Sequence, residues 1–468
     1  MEVCIIGAGA SGWMTCAALR SLGFIKKITL IGSPKIPTVG VGESTTETFH
    51  HFILKYSNLD NFIRESDATV KYGVYYSGWS EKDFIHCFQS EKPFLRKGIG
   101  RKEYSERLAN KDPNTFIHDL TNSTFFKYCI NNRVCLNTEE YLISWHFNAA
   151  KFINFLKKEN ISDPRVEYIS DEVVDVGFIS DGEIDYLTLE SGRTIKANYY
   201  VNSTGENLKS QKLFRQEYVD LSEYLLTNKA IFYPLKYTDK RRQFTPYTIT
   251  KTMDYGWRWI IPTWSRIGTG YVFSENHITV DQAIEEFKKD IGDDNINPHV
   301  VDFKPKAVKK VFRDNYCSIG MSSGFLEPLE SSGLSFTCGI IESLIKILQI
   351  QDKDDLKKQI DYLNWNHRHI WWMVHLLLQY KTSNKDHTDF WKDQKNVKCP
   401  DYDIIMGMLD NISESDFEYY EWEMIFRALA SKNINWKSRT DKKPFRIEEI
   451  NYPTMDHLDF ITQFHNVK

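Results

Sequence analysis

The chain lacks a metal-binding signature, a membrane-spanning run and any block of like charge. Its 8 cysteines stand at positions 4, 16, 87, 129, 135, 317, 338 and 399, with no CxxC pair among them. That usage reads as reduced, buried thiols in a cytoplasmic protein rather than a disulfide framework. No HExxH occurs, and no metal site is expected. No apolar stretch reaches the ~18 residues of a transmembrane helix, so no membrane partner is expected. The opening Met1-Glu2-Val3-Cys4-Ile5-Ile6 reads as a strand, not as a charged segment followed by an apolar one, and predicts no signal peptide. Lys and Arg number 59 against 63 Asp and Glu, a net charge of -4 spread along the chain. A nucleic-acid footprint needs clustered positive charge, so that class is set aside.

What is present is an ordinary globular composition with excess aromatics. Of 468 residues, 41% are hydrophobic and 26% charged, which fits a globular enzyme. At about 150 residues per unit the length allows about three units, although large α/β folds exceed that size as one. Phe, Tyr and Trp make up 14% of the chain. They can pack a core or line a pocket for a flat ligand.

Residues 3–6 predict a strand, residues 7–12 a glycine-rich turn, residues 13–22 a helix ended by Gly23, and residues 28–31 a second strand. This is a βαβ opening. Residues 36–48 read as a Gly- and Thr-rich loop, with a helix starting near Phe49. Residues 146–157 return to helical spacing. Residues 165–202 and 228–275 alternate as strands. Residues 316–351 read as strand, glycine-rich loop and helix, and a long helix is expected over 355–382. About 80–140 and 210–310 read as insertions of a substrate layer.

Gly7-Ala8-Gly9-Ala10-Ser11-Gly12 is a GxGxxG between strand and helix. Gly7 permits the tight turn, Gly9 lets backbone approach a pyrophosphate, and Gly12 lets helix and strand pack closely. Backbone N–H groups at the helix start, including Ala10 and Ser11, then face the phosphates. The acidic residue expected at the end of the second strand falls at Gly32, which cannot hold a ribose hydroxyl. The dinucleotide is therefore expected to bind loosely, and Gly32→Asp or Gly32→Glu to tighten it. No second GxGxxG exists, so a bound nicotinamide domain is not expected.

Gly256-Trp257-Arg258-Trp259-Ile260-Ile261-Pro262 resembles the GWxWxIP of flavin-dependent halogenases of the tryptophan-halogenase type. Further segments extend the resemblance in order. Val39-Gly40-Val41-Gly42-Glu43-Ser44-Thr45 is similar to that family's strap between flavin and substrate sites. Lys71, in Ala68-Thr69-Val70-Lys71-Tyr72-Gly73, stands where the family keeps its essential lysine. Gly324-Phe325-Leu326-Glu327-Pro328-Leu329-Glu330-Ser331-Ser332-Gly333-Leu334 resembles its EPLES(S/T)G segment. Tyr200-Val201-Asn202-Ser203-Thr204-Gly205 and Tyr316-Cys317-Ser318-Ile319-Gly320 resemble the strands that close an FAD site, although Met321 replaces the usual Asp.

The resemblance implies an α/β flavin-monooxygenase-like fold over residues 1–350, with a Rossmann-type FAD region and a large β-sheet substrate layer. Residues 351–468 would form a helical part covering the substrate. It implies Lys71 and Glu330 as the catalytic pair and Glu327 as structural. Gly7, Gly9, Ala10, Ser11, Gly12, Val39, Gly40, Gly42, Glu43, Gly205 and Gly320 would bind the cofactor. Ser332 and Gly333 would bind the halide, and Trp257 and Trp259 would form a wall between flavin and substrate. Reduced FAD would come from a separate flavin reductase. Oxygen and halide would give hypohalous acid, which Lys71 and Glu330 direct onto an electron-rich aromatic ring. The abbreviated C-terminal part implies an open site for a free small aromatic molecule, in a homo-oligomer. Tyr419-Tyr420-Glu421, His375, Tyr380 and Phe390-Trp391 are open between pocket and packing. Two rivals stand beside this reading. One is a flavin hydroxylase, separated by halide dependence of the product. The other is a degenerate flavin-binding scaffold, separated by turnover with reduced FAD.

Overall fold

The computed structural model describes residues 1–36, 43–79, 83–87, 134–136, 143–180, 182–366, 374, 387–397 and 454–465. Its first layer is a six-stranded sheet in the order Phe312–Arg313, Tyr316–Ser318, Tyr199–Asn202, Glu2–Ile6, Lys27–Gly32, Val166–Ser170. Glu2–Ile6 lies parallel to both neighbours, with Val3 opposite Tyr199 on one side and Ile28 on the other. Val3, Cys4, Ile5 and Ile6 are all buried, as an apolar run covered on both faces requires. The helix Ala10–Arg20 packs on this sheet through Trp13, Met14, Ala17 and Ala18.

The second large layer has seven strands in the order His299–Asp302, Lys229–Leu235, Ile267–Phe273, Gly256–Pro262, Thr248–Met253, Gly73–Ser77, Phe84–Cys87. All its pairings are antiparallel except Thr248–Met253 with Gly73–Ser77. A small sheet, Glu43–Ser44, Ser144–Phe147 and Thr69–Lys71, also carries the strap's end and the Lys71 strand.

Three boundaries differ from the sequence expectation. The first helix starts at Ala10, inside the glycine turn, because extended Gly9 is its N-cap; it ends at Arg20 with Ser21 as C-cap, so Gly23 does not end it. The helical spacing at 146–157 hides a strand, Ser144–Phe147, whose four residues are all buried between two partner strands. The helix proper is Ala149–Ile161, and Asn148 caps it by accepting from Lys151 N. The third concerns 355–382, where a helix covers Lys353–Asn366 and residues 367–373 and 375–386 lie outside the described ones. Far down the chain, Thr454–Asp456 pairs with Val134–Leu136, and the helix His457–His465 follows.

Candidate active site

The strands Glu2–Ile6, Lys27–Gly32 and Tyr199–Asn202 end together, which is where a doubly wound sheet holds its ligand. Gly7 has φ +112, and a Cβ there would sit 2.3 Å from the Ser203 carbonyl oxygen. A Cβ on Gly12 would lie 2.0 Å from the Gly7 oxygen. Gly320, at φ +65, would collide with Ser11 Oγ at 2.1 Å. These contacts press the glycine turn, the Ser203–Gly205 corner and the Gly320 loop into one surface. Gly9 and Gly205, by contrast, have nothing within 4 Å of a built Cβ. Glycine lining open space beside a helix start is the cradle a pyrophosphate needs, so these residues fit FAD. Val39, Gly40 and Gly42 lie outside the described residues. Glu43 is half-buried, and burial of its carboxyl pushes the pKa up to about 7.

Gly32 overturns one expectation. A Cβ there would lie 2.5 Å from the Ala8 Cβ and 3.0 Å from the Tyr168 hydroxyl. The ribose carboxylate is absent because the turn occupies its place. Gly32→Asp is expected to cost about 1–3 kcal/mol by overpacking and to weaken FAD rather than tighten it. Thermal melting with FAD titration measures both; a variant that melts like wild type and binds FAD more tightly would overturn this.

Lys71 ends a strand of the small sheet and is completely buried. Its Nζ donates to the Thr45 carbonyl at 2.9 Å and to Ser331 Oγ at 3.0 Å. Burial holds the amine well below the ordinary lysine pKa, while Glu330 and Glu47 pull the other way. Glu330 is also completely buried and accepts a hydrogen bond from the Tyr76 hydroxyl. Between Glu330 and Ser332, Ser331 takes φ +58, a conformation that costs a non-glycine residue about 1–3 kcal/mol. Its hydroxyl repays this by bonding Lys71 and, at 3.0 Å, Ser44. The strap's end, the Lys71 strand and the Glu330 loop are therefore one hydrogen-bonded unit. Thr46 adds a bond to Ser335 in the helix Gly333–Gln349.

Period two along Gly256–Pro262 puts Trp257 and Trp259 on one face, 1% and 6% exposed, with ring centroids 6.2 Å apart. Arg258 turns to the other face and pairs with Asp290 at 2.6 Å. Trp257 Nε1 donates to Glu327 Oε1 at 3.2 Å, and Thr227 Oγ1 donates to Glu327 Oε2 at 2.8 Å. Glu327 thus anchors the Trp257 ring to Thr227. Trp259 Nε1 is buried without a hydrogen-bond partner among the described residues, a donor that a bound group can satisfy. A Cβ on Gly270 would meet the Trp259 ring at 2.2 Å, so only glycine lets this ring lie across its neighbouring strand.

Ser332 is the N-cap of the helix Gly333–Gln349 and makes no side-chain capping bond. Gly333 is exposed, with nothing within 4 Å of a built Cβ. Unpaired N–H groups at a helix start facing open space suit a small anion.

Several contributors carried no motif. Tyr76 lies one turn of the chain beyond Lys71, on a different sheet, and its alternation with Val74 was its sole signal. Ser44, Thr45 and Ser331 sit inside quoted motifs, but the bonds of Thr45 and Ser331 to Lys71, and of Ser44 to Ser331, were not legible. Phe390 and Trp391 are fully buried, with Trp391 edge-on to Trp79 at 5.8 Å. His375, Tyr380, Tyr419, Tyr420 and Glu421 lie outside the described residues, as does the HxH pair His367-Arg368-His369. Among the described residues no group of three potential ligands could hold a metal ion, and no helix is long and apolar enough to cross a membrane.

Comparisons with known proteins show the family and the fold. The profile of the tryptophan halogenase family matches residues 2–436. The chain is 29% identical over 428 residues to the tryptophan 6-halogenase ThaL of Streptomyces albogriseolus, covering 85% of this chain and 80% of that one. A solved tryptophan halogenase from Shewanella frigidimarina superposes with a TM-score of 0.81 at 20% identity, covering 99% and 98% of the two chains. Xcc4156, a flavin-dependent halogenase from Xanthomonas campestris, superposes at 0.75 with 23% identity over 92% and 88%. The two structures show the fold, which is the α/β arrangement expected from the sequence. The chain belongs to the tryptophan halogenase family.

Proposed function

We propose that this chain uses reduced FAD, oxygen and halide to halogenate an electron-rich, free aromatic molecule of the indole or phenol type. The observation that carries this reading is the buried amine of Lys71, tied at 2.9 Å to the strap and at 3.0 Å to the residue after Glu330. Reduced FAD, delivered by a separate flavin reductase, supplies with oxygen the oxidising equivalent that turns halide into hypohalous acid. Every other task falls to side chains and backbone of this chain. Gly7, Gly9, Ala10, Ser11, Gly12, Gly205 and Gly320 hold the cofactor, with Glu43 beside it. Backbone at Ser332 and Gly333 holds the halide. Trp257 and Trp259 keep the organic substrate off the flavin. Lys71 hydrogen-bonds the hypohalous acid or takes the halogen on nitrogen; its low pKa favours the neutral amine that nitrogen attack requires. Glu330 orients the oxidant, stabilises the cationic ring adduct or removes its proton.

The reading is tested by mass spectrometry of products from indoles, phenols and anilines, with reduced FAD, each halide, and catalase to remove free peroxide. Halogenated product is expected; hydroxylated product independent of halide would establish a monooxygenase. The same assay decides halide preference. Ser332 stands where many family members have Thr, so the rim carries one methyl less. Bromide and iodide are also less strongly hydrated than chloride and more readily oxidised. In equimolar competition, bromination is expected at least to equal chlorination, and Ser332→Thr to move the ratio toward chloride. Dominant chlorinated product from the wild type would reject the preference while leaving the halogenase reading intact.

A further inference from the structure

A file of buried hydroxyls runs from Lys71 to His146. Lys71 Nζ lies 3.0 Å from Ser331 Oγ, Ser331 Oγ lies 3.0 Å from Ser44 Oγ, and Ser44 Oγ lies 2.8 Å from Thr248 Oγ1. Thr248 Oγ1 lies 2.8 Å from His146 Nε2. On the far side of the ring, His146 Nδ1 is 3.4 Å from Thr69 Oγ1, which donates at 2.7 Å to the Pro262 carbonyl. Lys71, His146, Thr248, Thr69 and Ser331 are at most 7% exposed, and Ser44 is half-buried.

One acceptor at the end fixes every proton in this file. A carbonyl only accepts, so Thr69 spends its proton on Pro262 and can only accept from His146. His146 then carries its hydrogen on Nδ1 and presents a bare Nε2. Thr248 donates to that nitrogen, Ser44 donates to Thr248, Ser331 donates to Ser44, and Lys71 donates to Ser331. All donors point from the amine to the imidazole.

We propose that Ser331, Ser44 and Thr248 form a proton relay that makes His146 the acceptor of the Lys71 ammonium proton. This rests on the reading of Lys71 as the amine that meets the oxidant. In the step, a Lys71 N–H bond breaks and its proton joins Ser331 Oγ. The Ser331 proton passes to Ser44, the Ser44 proton to Thr248, and the Thr248 proton to His146 Nε2. Lys71 is left as the neutral amine and His146 as the imidazolium, with one proton moved and no electrons exchanged. The Pro262 carbonyl and Thr69 hold the imidazolium's other N–H. Residues in this file are positioning residues for Lys71, because His146 acts through four hydrogen bonds.

The surroundings disfavour two charges in this file at once. Burial and the Lys71 charge lower the His146 pKa, with His457 adding to the effect. His457 itself accepts from Val70 N at 3.2 Å. Around Lys71 stand Glu330 and Glu47, both favouring the ammonium; Glu43 heads the strand that pairs with Phe147. The two buried bases therefore resist being charged together, and burial opposes the charge on either one, so the imidazolium is a short-lived carrier of the proton.

Two measurements test the relay. Nitrogen-15 NMR of histidine-labelled full-length protein, with His146 assigned by its loss in His146→Gln, reports the tautomer without turnover. The Nδ1–H form is expected; an Nε2–H ring would reverse the file and overturn the proposal. In halogenation, Thr248→Val interrupts the file beside His146 while leaving Lys71, its bond to Ser331 and the imidazole's Nδ1 side in place. Its kcat is expected to fall about 10-fold or more at neutral pH, with the acid limb of the pH profile moved to higher pH. Thr248→Ser is expected to restore rate and profile. A Thr248→Val enzyme with the wild-type profile, or a Thr248→Ser enzyme that fails to recover, would overturn the relay. Product formation by Lys71→Met would instead overturn the role of Lys71 itself, and the NMR result separates that failure from this one.

Discussion

Lys71→Met is expected to lower halogenated product by about 1000-fold or more, while oxidation of reduced FAD and release of peroxide continue. The amine bonds Thr45 and Ser331, whereas Gly7 packs against Ser203 and Gly320 against Ser11, so its removal is expected to leave the glycine cradle undisturbed. Folding supplies the control. Burial depresses the Lys71 pKa in the folded chain, so between that value and the ordinary lysine range the unfolded chain binds more protons here. Stability from this site therefore rises with pH across that window, and at neutral pH the buried amine is a burden. Met fills similar volume without charge, so the variant is expected to melt no more than a few degrees below wild type, about what unpairing the Ser331 and Thr45 oxygens costs. Its melting temperature is expected to depend less on pH. Product comparison by mass spectrometry, oxygen uptake and melting curves from pH 6 to 9 make the measurement. Near-normal product from a folded variant would take Lys71 out of the chemistry.

The two parts of the site were legible to different degrees, for a physical reason. Glycine requirements are local. Gly7, Gly12 and Gly320 are needed because a Cβ would strike backbone or Ser11, and such positions leave a fixed spacing in the chain. The shared face of Trp257 and Trp259 was legible in the same way, since period two on one strand carries both. The hydrogen bonds at Lys71 were not. They join residues 26 and 260 positions apart, and serine and threonine at those places look like ordinary loop residues. His146 was missed for a further reason. Trp145 and Phe147 continue the apolar spacing of the helix after them, so a strand buried on both faces read as a helix start. Gly32 shows the opposite error. Its missing carboxylate was legible, but its cause, the Ala8 Cβ pressed against it, belongs to the packing between the turn and the strand's end.

Glu330→Gln is expected to slow ring substitution by about 100-fold or more while leaving the loop in place. Gln keeps an oxygen for the Tyr76 hydroxyl and has nearly the volume of Glu, so Ser331 retains its φ of +58 and its bond to Lys71. What is lost is the charge, and with it the means to hold a cationic ring adduct or accept its proton. Tyr76→Phe separates charge from placement. It leaves the carboxylate charged but frees it to turn, and a smaller loss, on the order of 10-fold, is expected. The double variant should be little worse than Glu330→Gln alone, because both changes act through one group. Rates of product formation under saturating reduced FAD and halide measure the series. An unchanged rate in Glu330→Gln would move proton removal to water. Glu327 is a poor substitute, since Trp257 and Thr227 engage one carboxylate oxygen each.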